Sequence, residues 1–329
     1  MTAIDIPSSW RQSLGTIVDH GWRKIMVIGA ADRGKSTYCQ FLANGLQQSG
    51  ARVAFVDGDI GQKDVGPPAT ISLAYPRRDQ PLANAEAAGL FFVGAINPSA
   101  HFITMVIGTR RVLDQATGDF VIIDTTGLVQ RKGRALKALQ AESLLPDVIV
   151  TLEKDQELTS IVNAHRHLNI LRLPVSTLAT GKSPSARRAA RARSFRDYFS
   201  GGIEVMLELE PLVFQRTLLF TGEAFSDSRY VYAERSSDGV VAVSRTDEIV
   251  HHRNMNIVPR GFADNLLCGV TDANHNCLGL GIISHIDFIR GELFFFTPVT
   301  KTSVAVIQFG DIYLDREGHE LRQRRKGHF

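Results

Sequence analysis

The chain has 329 residues, 44% of them hydrophobic and 22% charged, with a net charge of +3. That composition excludes a disordered or fibrous chain and allows one large domain or two ordinary ones. No apolar run reaches membrane-spanning length, Met1 to Trp10 lack the layout of a secretory leader, and three cysteines (Cys39, Cys268, Cys277) cannot make a disulfide framework, so a cytoplasmic protein with no membrane partner is expected.

Residues 1–23 read as an N-terminal extension. After them, the apolar runs Lys24–Ile28, Arg52–Val56, Leu90–Val93, Phe120–Ile123 and Val148–Leu152 predict buried parallel strands. Lys35–Gln48, His101–Ala116 and Gly133–Leu145 carry helical apolar spacing between them. Alternation of this kind predicts an α/β domain over 24–202 with a mainly parallel sheet covered on both faces. Around Phe199–Gly202 the pattern changes. Val205–Leu209, Thr217–Phe220, Tyr230–Ala233, Val240–Val243, Leu266–Val270, Leu278–Ile286, Glu292–Phe296 and Val304–Phe309 predict strands, separated by turn sequences such as Ser237-Asp238-Gly239 and Arg290-Gly291. A smaller, mainly antiparallel β domain with a basic tail is therefore expected over 203–329, with Cys268 and Cys277 as core residues in or beside its strands.

The first strand runs into Gly29-Ala30-Ala31-Asp32-Arg33-Gly34-Lys35-Ser36 and then into a helix. This is GxxxxGK[ST] in strand–loop–helix order, the P-loop of nucleotide-binding proteins. Glycines let the backbone curl so that N–H groups face an anion, and the helix N-terminus adds positive potential. Lys35 is expected at the β- and γ-phosphates, Ser36 in the shell of Mg²⁺, and Thr37 beside the α-phosphate.

Two strands end in acids: Asp57-Gly58-Asp59-Ile60-Gly61-Gln62 follows one, and Asp124-Thr125-Thr126-Gly127 follows another. Functional groups in open α/β sheets gather at these carboxyl ends. Asp57, Asp59 and Asp124 are candidates to hold magnesium or to accept a proton from an attacking hydroxyl. For Asp57, capping of a turn is an equal alternative.

Positive charge is concentrated rather than spread. Lys182, Arg187, Arg188, Arg191, Arg193 and Arg196 occur with no acid among them, and Arg322, Arg324, Arg325 and Lys326 close the chain. Such blocks meet phosphate or form a solvated face. His165 and His167, two apart in an expected helix, and His251-His252, in an expected loop, have no spacing that suggests zinc. Asn97-Pro98-Ser99 is expected to begin a helix beside the cleft.

Taken in order, GAADRGKST, VDGDIGQ, GPPATISL, VIIDTTGL and the arginine-rich segment ending RSFRDYFSG resemble the polynucleotide 5′-hydroxyl kinases. The resemblance is strong from Lys24 to Gly201 and looser through the β-rich remainder. It implies ATP and Mg²⁺ as cofactors, a nucleic acid with a 5′-hydroxyl end (RNA or DNA) as partner, and transfer of the γ-phosphoryl group. Position by position, it implies that Gly29 to Thr37 hold the nucleotide, with Lys35, Ser36 and Thr37 on phosphates and magnesium; Asp59 and Asp124 join Ser36 as metal candidates by their place at the strand ends. Asp59 would activate the acceptor hydroxyl, with Gln62 close by. Thr125, Thr126 and Gly127 match the clasp on the acceptor's terminal phosphodiester, and Arg187 and Arg191 match the RxxxR lid. Four residues apart on a helix, the two arginines share one face.

Three departures stand out. Leu128 replaces the tryptophan that usually ends the clasp, where stacking on a base contributes about 1–3 kcal/mol. Asp124 stands where eukaryotic members often carry another polar residue. Residues 1–23 are too few for the N-terminal β domain of those members. Two other readings compete: a regulatory GTPase, for which DTTG mimics a DxxG switch but no NKxD or TKxD element exists, and a non-catalytic nucleotide-bound subunit. No protein partner is identifiable from the sequence.

Overall fold

Strands that bury both faces must be apolar almost throughout, and the central strands of this protein are. The computed structural model describes residues 6–246, 255–300 and 303–324. The chain divides into two compact units, 1–191 and 192–329. In the first, β1 (Lys24–Gly29), β2 (Val53–Gly58), β3 (Thr70–Ala74), β4 (Ala87–Phe92), β5 (Phe120–Thr125), β6 (Val148–Glu153) and β7 (Asn169–Pro174) form one sheet in the order β4-β3-β2-β5-β1-β6-β7. β1, β2, β3 and β6 are buried along nearly their whole length, whereas the edge strands β4 and β7 are largely open.

Among the described residues five α-helices belong to this unit, α1 (Ser8–Asp19), α2 (Lys35–Gln48), α3 (Phe102–Asp114), α4 (Lys132–Leu144) and α5 (Thr159–Ala164), and α6 (Pro184–Phe199) spans the boundary at 191/192. Side chains alternate across a strand, so Ile25 and Val27 of β1 pack with Trp10, Tyr38 and Leu42 of α1 and α2, while Met26 and Ile28 pack with Ala141 and Ile161 of α4 and α5. Met105 and Leu136 cover Val56 and Ile123 from the α3–α4 side. Both faces are closed by helices, as the strand composition requires.

Pairing along β2–β5–β1–β6–β7 is parallel, which bears out the expected mainly parallel sheet. Leu90–Val93 departs from its expected parallel role: it falls in β4, which pairs antiparallel with β3, itself antiparallel to β2. β3 is not legible as an apolar run because Thr70 and Ser72 interrupt it. Their hydroxyls donate to Pro67 O and Val65 O, both at 2.7 Å, so the buried polar groups are satisfied locally. β7 and α1 are likewise not legible as apolar runs. β7 is an edge strand broken by Arg172. α1 lies in the expected extension, where Trp10 is fully buried and stacks edge-on with Tyr38 at 5.1 Å.

The second unit is mainly antiparallel, as expected. A four-stranded sheet joins Glu223–Ala224, Tyr230–Ser236, Gly239–Ser244 and Met255–Val258; a seven-stranded sheet joins Glu320–Gln323, Val306–Leu314, Leu266–Thr271, Cys277–Asp287, Glu292–Thr297 and Ile203–Glu208, with Val213–Gln215 added beside Val306–Leu314. Phe214, Phe262, Phe295 and Phe309 lie in its core. Cys268 is buried there, but Cys277 is only half-buried. Thr217–Phe220, expected as a strand, is a turn: Arg216 and Phe220 have φ of 63° and 66°, and the buried Glu234 carboxylate accepts from the N–H groups of Phe220 and Thr221. His165 and His167 fall just beyond α5 rather than on separate helix faces, and their rings stack 6.4 Å apart. His251, His252, Arg325 and Lys326 lie outside the described residues. Among the described residues no helix is long and apolar enough to cross a membrane.

Candidate active site

β1 ends at Gly29, where a Cβ would stand 2.8 Å from Leu152 O of β6, so only glycine lets the chain leave the sheet at that point. The following loop turns through left-handed backbone at Asp32 (φ 61°) and Gly34 (φ 80°) and delivers Lys35 and Ser36 to the first turn of α2, with Thr37 next. A curled backbone ahead of a helix N-terminus is an anion site. Lys35 is buried, and its Nζ donates back to Ala30 O at 3.1 Å. The other charged side chains of the loop are anchored elsewhere. Arg33 makes a two-pronged ion pair with Glu157 (2.6 and 2.9 Å), and Asp32 pairs with Arg187 and accepts from Lys182 N at 3.1 Å.

Parallel pairing of β2 with β5 sets Asp57 beside Asp124. Asp57 behaves as a cap: its carboxylate accepts from the N–H groups of Asp59, Asp64 and Val65 and is bridged by the buried Lys63, whose Nζ also donates to Ser72 Oγ at 2.9 Å. Asp59 Oδ1 accepts from Gly61 N (3.0 Å) and Gln62 N (3.1 Å), which leaves Oδ2 outside those bonds. Gln62 turns its amide to Gly61 O at 2.7 Å. Asn97 caps the short turn Pro98–Ala100, and Ile96 O passes so close to Gly61 that a Cβ there would meet it at 2.8 Å.

Asp124 is buried at the end of β5. Its Oδ1 accepts from Thr125 N at 2.7 Å, and its Oδ2 accepts from Ser36 Oγ at 3.1 Å. Burial pushes this carboxyl up to about 7 from an ordinary 3.8; Lys35 opposes the rise, while Asp57, Asp59 and Asp64 add to it. A hydroxyl and a carboxylate oxygen facing each other beside a phosphate loop are hard oxygen donors of the type Mg²⁺ takes, so Ser36 and Asp124 fit that ion.

Beyond Asp124 the strand end turns under the phosphate loop. Thr125 Oγ1 donates to Val27 O at 2.8 Å and so ties β5 to β1. Gly127 packs so tightly that a Cβ would stand 2.6 Å from Ala31 N and 2.7 Å from Ala31 Cα. Gly127→Ala is therefore expected to destabilise the protein by about 1–3 kcal/mol and to weaken nucleotide binding by displacing Ala31. Urea denaturation and nucleotide titration measure both, and a variant of wild-type stability would show the two backbones free to part.

Two lysines that stand in no motif also belong to the site. Lys63, next to Gln62, is locked in the Asp57 bridge. Lys137, on α4, is completely buried, and Nζ lies 3.4 Å from Thr126 Oγ1 and 3.5 Å from Gln140 Oε1. Burial pushes its ammonium down to about 7 from 10.5; Lys35 adds to the fall, and Asp59 and Asp124 oppose it. A signal existed: Lys137 shares the buried stripe Gly133, Leu136, Gln140, Ala141 and Leu144, and a lysine in such a stripe is rarely buried without a role.

The expected arginine helix is α6. Arg187 sits near its start, half-buried, paired with Asp32 of the phosphate loop, and its Nε is buried without a partner. Arg191 is four residues further on the same helix, also half-buried.

An anion-binding loop at the carboxyl edge of a sheet in which β5 lies between β1 and β2 defines a P-loop nucleotide-binding protein. Within that class the chain belongs to the family described as the mRNA cleavage and polyadenylation factor CLP1 P-loop, whose pattern matches residues 29–201. It is 37% identical over 318 residues to a polyribonucleotide 5′-hydroxyl-kinase of Pyrococcus furiosus, spanning 91% of this chain and 89% of that one. A protein of the same name from Methanocaldococcus jannaschii is 33% identical over 341 residues, spanning 96% and 94%. The fold is shared with Clp1p solved in complex with Pcf11p, with a TM-score of 0.61, 14% identity, and 92% of this chain and 78% of that one covered.

Proposed function

We propose that this chain transfers the γ-phosphoryl group of ATP to the 5′-hydroxyl end of a polynucleotide, with RNA favoured because the relatives named above are polyribonucleotide kinases. The observation that carries the reading is Asp59. It stands just past the end of β2, which β5 separates from the phosphate-loop strand β1, with one carboxylate oxygen spent on the loop's own N–H groups and the other outside those bonds. A hydroxyl is a poor nucleophile until its proton is drawn off, and a carboxylate in that position suits the task.

In this reading Gly29 to Thr37 cradle the triphosphate, and Lys35 exchanges Ala30 O for phosphate oxygens. Mg²⁺, held by Ser36 and Asp124 with Asp59 nearby, would neutralise charge on the phosphates. Gln62 helps to orient the acceptor. Thr126 and Gly127 receive the acceptor's terminal phosphodiester, with Thr125 fastening them to the sheet. Arg187 exchanges Asp32 for the transferred phosphoryl, joined by Arg191, so that charge is met by groups already in position. The catalytic unit corresponds to 24–202, followed by the β domain over 203–329, and the protein works in the cytoplasm. The kinase names of the relatives do not favour a GTPase switch at Asp124–Gly127.

The test is incubation with γ-labelled ATP and Mg²⁺ in the presence of 5′-hydroxyl RNA, 5′-hydroxyl DNA, 5′-phosphorylated RNA or no acceptor. Label is expected on the 5′-hydroxyl chains alone. Free phosphate released at one rate in all four tubes would replace the kinase with a hydrolase, and no turnover with retained nucleotide binding would leave an assembly subunit.

A further inference from the structure

Of the charged residues on α4, Lys137 alone is fully buried; Lys132, Arg134 and Glu142 are exposed. Its ammonium touches no carboxylate among the described residues. The groups within reach are the neutral Thr126 Oγ1 at 3.4 Å and Gln140 Oε1 at 3.5 Å, both at the outer limit of a hydrogen bond. Gln140 Nε2 is itself buried without a partner. Burying an ammonium without a carboxylate in contact is among the most unfavourable choices a core can contain, which is why its proton is held less firmly than in water, and methionine would fill the same volume without that cost. The cation becomes intelligible if an anion completes its surroundings during function.

Where that anion arrives follows from the neighbours. Lys137 Nζ reaches Thr126 Oγ1, the residue after Thr125, whose own hydroxyl is tied to Val27 O. Thr126 and Gly127 offer only neutral groups, so any phosphate they receive lacks a counter-charge from the clasp itself. A hydroxyl oxygen that accepts from an ammonium keeps its own hydrogen to give, and phosphate oxygens only accept.

We infer that Lys137 is a positioning residue for the acceptor strand: donating to Thr126 Oγ1, it turns the hydroxyl hydrogen of Thr126 towards the acceptor's terminal phosphodiester and places a positive charge beside an otherwise neutral clasp. The inference rests on the reading of Thr126 and Gly127 as the acceptor side of the site. It gives the protein a means of recognising a strand by its first internucleotide linkage, whatever the base.

The experiment compares wild type, Lys137→Met, Thr126→Val and the double variant on two 5′-hydroxyl oligoribonucleotides, one natural and one with an uncharged methylphosphonate at the first linkage. Lys137→Met is expected to raise KM for the natural acceptor about ten- to hundredfold, the range for loss of a hydrogen bond to a charged group, with KM for ATP within about twofold. It should cost little on the methylphosphonate acceptor, and the double variant should lose less than the product of the two single effects, because the changes share one chain of contacts. Lys137→Gln gives the same readout should the methionine variant not fold. An unchanged acceptor KM, equal losses on ATP and acceptor, equal losses on the two acceptors, or additive effects with Thr126→Val would each overturn the inference. If Thr126→Val leaves acceptor KM untouched, the clasp reading fails and the inference with it; if wild type phosphorylates no 5′-hydroxyl at all, the failure lies in the functional reading.

Discussion

Asp59→Asn is expected to lower kcat by about 10²- to 10⁴-fold, the usual contribution of a positioned general base, with KM for ATP within about twofold. The substitution is a clean one because asparagine keeps the oxygen that accepts from Gly61 N and Gln62 N, so the loop after β2 has no reason to move. What disappears is the negative charge and the proton-accepting oxygen outside those bonds. Steady-state kinetics on a 5′-hydroxyl oligoribonucleotide, with nucleotide affinity measured calorimetrically, separates the two quantities. A kcat within a few-fold of wild type would remove Asp59 from the chemistry. A normal kcat restored by raised Mg²⁺ would make it a metal residue instead.

Asp124→Asn should do two opposite things. Activity at a fixed Mg²⁺ concentration is expected to fall by about 10²-fold or more, since one of the two oxygens fitted to the ion loses its charge. Stability of the metal-free protein is expected to rise. The carboxyl of Asp124 goes from an ordinary 3.8 up to about 7 in the fold, chiefly through burial. Between those values the folded protein binds a proton that the unfolded chain does not, so stability falls as pH rises through the window and the full penalty is present above about 7. Asparagine never ionises and still matches Thr125 N and Ser36 Oγ, so the variant should gain on the order of a few kcal/mol over wild type at pH 8 and almost nothing near pH 4. Thermal denaturation in EDTA at the two pH values measures the difference. A gap that does not change with pH would show that Asp124 is not held uncharged by its burial.

These two residues illustrate how unevenly the site was legible. GxxxxGKS announces itself because a phosphate loop needs glycine at fixed places, and Gly29 and Gly34 meet those needs by contact with Leu152 O and by a φ of 80°. The acids at the strand ends were equally visible, yet their division of labour was not. Asp57 and Asp59 lie two residues apart with near-identical surroundings in the sequence. Only the folded loop shows Asp57 saturated by three N–H groups and Lys63, and Asp59 with an oxygen to spare. Arg187 and Arg191 could be set on one helical face from spacing alone, but the pairing of Arg187 with Asp32 joins residues far apart in the chain.

The sequence by itself determined what short-range physics dictates. Apolar runs, helical spacing and the glycine-bearing loop specified a mainly parallel sheet with a phosphate site at its edge, followed by a mainly antiparallel β region. Tertiary structure decided what depends on partners distant in the chain: the antiparallel β3–β4 edge concealed by Thr70 and Ser72, the burial of Trp10 in a segment read as an extension, the Ser36–Asp124 oxygen pair, and Lys137 beside Thr126. The physical reason is the same in each case. The energy of a polar or aromatic side chain depends on whether water or a protein group surrounds it, and only the packed chain sets those surroundings.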